Sequence, residues 1–536
     1  SYSVTGVQTC ALPIYNCNMK LLSVFLLFTF AFSASAQHIN VLLGNQRNPN
    51  EPSIAINPKN TNQMLVGANI DNYYYSDDAG FTWQNNRLFS PQLGVWGDPC
   101  IAVDTSGSFY FFHLSNPIGA SWIDRIVCQR TDDFTVTWTD GTGIGLNGTK
   151  AQDKEWVAID PENNHIYVTW TQFDNYGSAN PADSSIIRFS KSYDRGDTWT
   201  EPLRLNNIAG DCIDSDNTVE GAVPAIGPEG QIYVAWAGPE GILFDRSLDG
   251  GETWLDNDIY ISDQPGGWDF DVPGIMRCNG LPVTACDLSN SPHRGTIYVN
   301  WTDQRNGAND TDVWLVKSTD GGNSWSERKR VNDDEPGKQQ FFSWMTVDPA
   351  NGKIWIVYYD RRNYNDNQTD VFLALSEDGG NSFTNFKISE SPFIPVESVF
   401  FGDYTNISAI NDVVRPVWTR LHQNQLSIYT AIIDIQSIVS EETRISTPVA
   451  PINSWPNPFN RSTAFSYKLH DLTKISITLH DVTGRIILIF VDNQYLEAGK
   501  YTNYIDADNH NLKQGVYLLK IETPNGLQTR KLVYSP

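Results

Sequence analysis

One short pattern, S-x-D-x-G-x-[ST]-[WF], recurs along the chain and constrains its fold more than any other feature. It reads Ser76-Asp78-Gly80-Thr82-Trp83, Ser192-Asp194-Gly196-Thr198-Trp199, Ser247-Asp249-Gly251-Thr253-Trp254, Ser318-Asp320-Gly322-Ser324-Trp325 and Ser376-Asp378-Gly380-Ser382-Phe383, with a degenerate copy at Thr131-Asp133-Thr135-Thr137-Trp138. Each residue type suits a tight turn. Ser and Asp side chains hydrogen-bond turn amides, Gly accepts a positive φ, and the aromatic ring leaves the turn to wedge between neighbouring sheets. Successive copies start about 55 to 71 residues apart, the length of one four-stranded antiparallel unit.

The units share one internal order. A short strand (Ile54 to Ile56, Ile101 to Val103, Val157 to Ile159, Val223 to Ile226, Met345 to Val347) is followed by a turn and then by an apolar, aromatic strand such as Ile232-Tyr233-Val234-Ala235-Trp236. A third strand runs into the motif and a fourth leaves it. The motifs are Asp boxes, and with this spacing the chain resembles the sialidase-type β-propeller. The fold expected is all-β, a propeller of four-stranded blades. After the last box one unit, with strands near Asn406 to Ile410, Val413 to Trp418 and Leu426 to Ile433, lacks a fourth strand, and Ile39 to Leu43 can supply it. That gives seven blades, or alternatively six if the irregular stretch Ser262 to Ser289 is read differently. In this reading Asp78, Asp194, Asp249, Asp320 and Asp378 are structural staples of the turns.

The rest of the chain divides around this repeat. Residues 1–18 have no periodicity and are expected to be a non-native leader. Residues 19–36, with Lys20, the apolar run Leu21 to Phe32 and Ala34-Ser35-Ala36, read as a signal peptide with an A-x-A cleavage site. The propeller is assigned 37–434 and a linker 435–453. Residues 454–536 carry Trp455-Pro456-Asn457-Pro458-Phe459-Asn460, the turn Asp481-Val482-Thr483-Gly484-Arg485, the strand Gln514-Gly515-Val516-Tyr517 and Thr529-Arg530-Lys531-Leu532-Val533, with the short alternating strands of a small Ig-like β-sandwich. Together these closely resemble the sorting domain of the type IX secretion system of Bacteroidota. The resemblance implies export through that machinery, to the medium or the outer-membrane surface. The alternative is a carbohydrate-binding sandwich.

Composition narrows the partners. The formal net charge of -25, from 37 Lys and Arg against 62 Asp and Glu, repels phosphate backbones and anionic lipid, so nucleic acid is set aside. After the signal segment nothing is long and apolar enough for an integral membrane helix. Five of the 7 Cys lie beyond it, Cys100, Cys128, Cys212, Cys278 and Cys286, and the last two are close enough in sequence to staple a loop. Neither CxxC nor HExxH zinc spacing is present.

The loops that enter the inner strands, and those between second and third strands, are dense in chemistry. They hold Glu51, Asp98, Lys154-Glu155, Glu220 and Asp403-Tyr404, with Trp96, Trp268, Asp269, Arg277, Asp303, Arg305, Asp360, Arg361, Arg362 and Arg420. Aromatic rings stack on sugar faces, carboxylates accept from hydroxyls, and Arg holds an acidic sugar bidentately, so a glycan or polysaccharide is the expected partner. Similarity to sialidases implies a glycoside hydrolase in which Glu220, heading the fourth inner strand, polarises a nucleophilic Tyr404 in Gly402-Asp403-Tyr404. From the loops themselves, Arg277, Arg305 and Arg361 are expected to bind substrate as an anion clamp of a different kind, with blade-to-blade ion pairs the alternative for Arg305 and Arg361, and Trp96 and Trp268 to stack on it. The family's Arg-Ile-Pro is replaced here by Glu51-Pro52-Ser53-Ile54, and its fourth-blade arginine by Ala237-Gly238. Two acids among Asp98, Glu155, Glu220 and Asp403 offer a second chemistry, a general acid/base pair. A non-catalytic glycan- or protein-binding propeller and a polysaccharide lyase using Tyr404 are the competing readings. No cofactor is required by any of them; Asp211, Asp214 and Asp216 are the residues to which a structural calcium ion would bind.

Overall fold

The computed structural model describes residues 38–433, 435, 452–469, 472–481, 484–523 and 526–536, so the leader, the signal segment and nearly all of the linker lie outside the described residues. The described elements are β-strands throughout. From Ile39 to Ile432 they form seven four-stranded antiparallel sheets. The inner strands are Ser53–Ile56, Gly97–Val103, Ala151–Ile159, Glu220–Ile226, Val283–Cys286, Gln340–Val347 and Asn406–Ile410. Each packs against the next in chain order, and the seventh packs against the first. This is a propeller-like, all-β arrangement.

The seventh sheet takes its outer strand from the other end of the chain. Ile39–Gly44 pairs antiparallel with Gln425–Ile432, Ile39 facing Ile432 and Leu42 facing Tyr429. Leu43 thereby enters a core with Ile54, Val66, Val417 and Ile428.

The second strand of a sheet is covered on both faces, which explains its unbroken apolar sequence. Ile166–Phe173, Ile232–Gly238, Ile297–Asp303 and Ile354–Asp360 are buried along their whole length. Trp170, Trp236, Trp301 and Trp355 sit in them as the largest buried side chains.

The Asp-box chemistry is realised bond by bond. In the copy at Ser247, the Ser247 hydroxyl donates to Asp249 Oδ1 at 2.7 Å and accepts from the Gly251 amide at 2.8 Å. Asp249 also accepts from the Thr253 amide at 2.9 Å and the Thr253 hydroxyl at 2.6 Å. The same pattern recurs around Asp78, Asp194, Asp320, Asp378 and the degenerate Asp133. Trp254 then packs edge-on against Phe189 of the preceding sheet at 4.9 Å, and Trp325 against Phe244 at 5.1 Å. The box therefore ties each turn to the sheet before it.

The C-terminal module has two sheets, one of three strands built on Ser462–Leu469 and one of four built on Thr473–Asp481, around a core that includes Phe465, Leu479, Ile505 and Leu519. The Pro456–Asn460 run acts as a clamp on the last strand. Asn457 donates to Lys531 O and accepts from the Val533 amide, both at 2.8 Å, and the Phe459 amide donates to Val533 O at 2.9 Å.

All five described cysteines are free and buried. The expected staple between Cys278 and Cys286 is corrected: Cys278 packs with Phe341 and Phe342, whereas Cys286 packs with Ala225 and Trp301.

Candidate functional site

The site is made where the inner strands begin. There Glu51, Asp98, Lys154 and Phe342 all adopt left-handed backbone, with φ of 53°, 51°, 53° and 50°. Non-glycine residues avoid this region unless the surroundings impose it. The pairing register shifts at three of these, between Gly97 and Cys100, Asp153 and Trp156, and Phe341 and Trp344, and also between Glu220 and Val223. A bulge re-aims the residues on either side of it. Asp98 and Lys154 sit at such bulges, and Asp403, Arg277 and Asp214 meet them from loops.

The charges form one connected network. Lys154 Nζ lies 3.0 Å from Asp98 Oδ2 and 2.9 Å from Asp403 Oδ2. Arg277 grips Asp403 bidentately, Nε to Oδ1 at 2.9 Å with a second contact through Nη2, and reaches Asp214 Oδ2 through Nη1 at 3.0 Å. Glu51 accepts from the Asp403 amide at 3.0 Å and from the Asn69 carboxamide, whose own oxygen accepts from the Asp98 amide at 2.7 Å. Tyr176 donates to Asp214 Oδ2 at 2.6 Å.

Burial and pairing divide these acids into two kinds. Burial opposes ionisation of Asp403, but Lys154 and Arg277 outweigh it and hold its carboxyl well below the usual range. Glu51, Glu155 and Glu220 are pushed the other way, chiefly by burial, with nearby carboxylates adding to it. Asp153 is pushed up to about 7 by burial, with Asp98 and Asp214 adding their repulsion against the opposing pull of Lys154.

Beside the network opens a cavity of about 370 Å³. Its acidic side is Glu51, Asp98 and Asp153. In the same lining Trp96, Trp122 and Tyr176 form a run of edge-to-face rings at 5.9 and 5.7 Å, and Arg47, Lys154 and Arg277 are its cations.

The expected residues separate accordingly. Asp98, Arg277 and Trp96 line the cavity. Asp403 and Tyr404 instead border a void of about 20 Å³ with Trp156 and Trp344, and the Tyr404 ring is packed against Trp156 at 5.0 Å. Burial, then Glu51 and Asp98, raise the Tyr404 phenol well above its ordinary value. Glu220 is 1% exposed and one of its oxygens has no hydrogen-bond partner. Arg305 pairs with Asp303 and Asp263 and stacks on Trp314, while Arg361 is buried over Phe341 and donates to Thr369 Oγ1 at 3.1 Å. Trp268 is buried and donates to Thr218 O at 3.0 Å. Asp214 and Asp216 are occupied separately, Asp214 by Arg277 and Tyr176, Asp216 by the Asp269 amide at 2.9 Å. Among the described residues no three His, Cys, Asp or Glu side chains are grouped to hold a metal ion.

Lys154 stands in the sequence reading only as a residue entering an inner strand, without a role, and Asp153, Asn69, Trp122 and Tyr176 are absent from it. Asp153 was within reach, since it stands beside Lys154 at the head of an inner strand; Trp122 and Tyr176 carry no such signal.

Residues 453–535 match the family described as the secretion system C-terminal sorting domain. The chain carries a sorting domain. With it the protein is addressed to the type IX secretion machinery of Bacteroidota, and it is secreted or displayed on the outer-membrane surface. No helix among the described residues is long and apolar enough to cross a membrane. No curated protein matches the chain. Among solved structures, a Hadza microbial sialidase aligns over 69% of this chain and 73% of its own, at 14% identity and a TM-score of 0.40. The NanB sialidase of Streptococcus pneumoniae aligns over 70% and 84%, at 9% and 0.42. A polysaccharide lyase, an ulvan lyase, aligns over 75% and 99%, at 13% and 0.45.

Proposed function

We propose that the propeller of this exported protein binds and hydrolyses an uncharged glycan in the cavity beside Asp98. The carrying observation is the cavity itself, whose lining combines three aromatic rings with carboxylates while Lys154 and Arg277 are already neutralised by Asp98, Asp403 and Asp214. Rings of that kind stack on sugar faces, and acceptor oxygens beside them in one cavity suit hydroxyl groups. Asp153, whose carboxyl is pushed up to about 7, serves as the general acid, and Asp98, paired with Lys154, as the second acid of the pair.

The exo-sialidase form of this reading draws less support. A sialic acid carboxylate needs free guanidinium groups, and Arg277, Arg305 and Arg361 are otherwise engaged. A tyrosine nucleophile or lyase base must meet substrate, and Tyr404 is enclosed by Trp156 and Trp344. That enclosure, with the paired cations, favours non-catalytic glycan binding as the second reading.

We place the fold as a seven-bladed propeller followed by an Ig-like sandwich. Seven four-stranded sheets with a boxless last unit, completed by Ile39–Gly44, support seven blades over six. The stretch Ser262 to Ser289 fits as an insertion ahead of the fifth inner strand, its residues Asp269–Phe270 and Cys278–Asn279 pairing only with each other.

The test is reducing-sugar release from neutral and acidic glycans by the mature chain and by Asp98→Asn and Asp153→Asn. Hydrolysis of a neutral glycan that both variants abolish supports the carboxylate pair. Sialic acid release lost in Tyr404→Phe would replace it with the sialidase mechanism, and binding without turnover would leave the second reading.

A further inference from the structure

A second cavity, of about 410 Å³, adjoins the first and shares two of its walls, Arg277 and Phe400. Both volumes fall within the roughly 300–1,000 Å³ that ordinary ligand sites occupy. The partition is built rather than incidental. Arg277 is fixed by Asp403 and Asp214, and its guanidinium lies over the Phe400 ring at 5.4 Å. Arg277 therefore cannot swing aside without breaking a buried ion pair, and Phe400 stands as a ridge between two hollows.

The far hollow has its own chemistry. Its floor is Phe270 and Cys278, both buried, and its rim carries Asp269, the exposed Asp271 and Met276, the last 48% exposed. The short hairpin that presents them is anchored, since the Asp269 amide donates to Asp216 and Gln304 Nε2 donates to Asp271 O at 3.0 Å. Two carboxylates supply acceptors for hydroxyl groups over an apolar floor, beside an arginine already committed to Asp403 and Asp214. That is a surface for a neutral sugar and a poor one for an acidic residue.

We propose that the two cavities are adjoining subsites for one uncharged oligosaccharide chain that crosses the Phe400 ridge, so that the ligand is the interior of a polymer and not a single terminal sugar. This rests on the glycan reading of the first cavity and adds to it the length and neutrality of the ligand. Chain length is then the variable that reports on the second subsite.

The experiment measures binding of the mature full chain to laminarin, xylan, mannan, pullulan and polygalacturonate by affinity electrophoresis. Calorimetry follows with a ladder of one to eight units from each that binds. The expected result is retention by a neutral polymer and an affinity that rises at least tenfold between two and five units. Asp271→Ala removes that rise and leaves affinity for the shortest bound member within twofold; Phe400→Ala, at a wall of both cavities, removes the rise and also weakens the shortest member, and Trp96→Ala weakens every length. Asp271 is exposed, so its variant separates loss of the subsite from loss of the fold. An affinity that is flat with length, or unaltered by both variants, overturns the second subsite and leaves the first cavity's reading standing. Retention of polygalacturonate alone overturns the neutrality of the ligand. Absence of binding to every polymer overturns the glycan reading and this inference with it.

Discussion

Asp153 and Glu155 flank Lys154 at the same bulge, and burial raises both carboxyls, yet they face different surroundings. Asp153 lines the cavity, so its proton is available to a leaving group. A general acid must be protonated, and turnover is expected to fall as pH rises through about 7. Asp153→Asn should lose that limb together with about 100- to 10,000-fold in kcat, which a pH–rate profile with a glycan substrate would show; an unaltered profile would remove Asp153 from the mechanism. Glu155 is fully buried, and neither of its oxygens meets a partner in another residue. Its folded-state pKa is raised, so its stabilising contribution is complete below the ordinary carboxylate value and is lost as pH rises toward the folded value. Glu155→Gln should therefore flatten the decline in stability between pH 4 and the neutral range, about 1–3 kcal/mol being the usual penalty for an unsatisfied buried polar group. Denaturant unfolding at several pH values decides it, and a decline as steep as the wild type's would show that the carboxyl stays ionised with solvent.

At the scale of the element, the Asp box is one turn repeated with little variation. Gly251 has φ of 84°, and a Cβ there would stand 2.5 Å from Phe189 Cζ of the preceding sheet. Gly251→Ala combines a left-handed alanine with a collision at a sheet-to-sheet contact, so it should cost about 1–3 kcal/mol from backbone strain alone and lower Tm. An unchanged Tm would mean that this turn is not held by its neighbour. Such turns are legible in a sequence because every bond in them is local, Ser247, Asp249, Gly251 and Thr253 spanning one loop. The bulges were half legible. Their strands could be placed from apolar runs, but the left-handed residue in Lys154 or Phe342 has no glycine to announce it.

The whole molecule sets what sequence could not reach. Asp403 and Arg277 are 126 positions apart, and Lys154 is farther still from Asp403; which arginine finds which acid depends on how the sheets close. Arg305 and Arg361 looked equally suited to an anion, and Trp268 to a sugar, until the sheets placed them against Asp303, Phe341 and Thr218. Closure itself was legible, because a unit one strand short and a spare strand at the other end leave little choice. Removing Ile39–Gly44 should expose the edge of Gln425–Ile432 and open the core around Leu43, giving a steep loss of thermal stability and of soluble yield. A permuted chain that joins residue 432 to residue 39 through a short linker should keep the wild-type Tm. Equal stability of the deleted chain would show that the last sheet stands on three strands.

Because Ile39 faces Ile432 across antiparallel strands, both ends of the propeller leave at the same edge of the same sheet. A pull between those ends meets the pairs from Ile39 to Gly44 one after another, as a zip does, while the other six sheets bear no load. For a chain held at its C-terminal end, drag on the body of the propeller enters through Gln425–Ile432 before any other strand, and the Ile39–Gly44 seam is loaded only when the opposite end is held too.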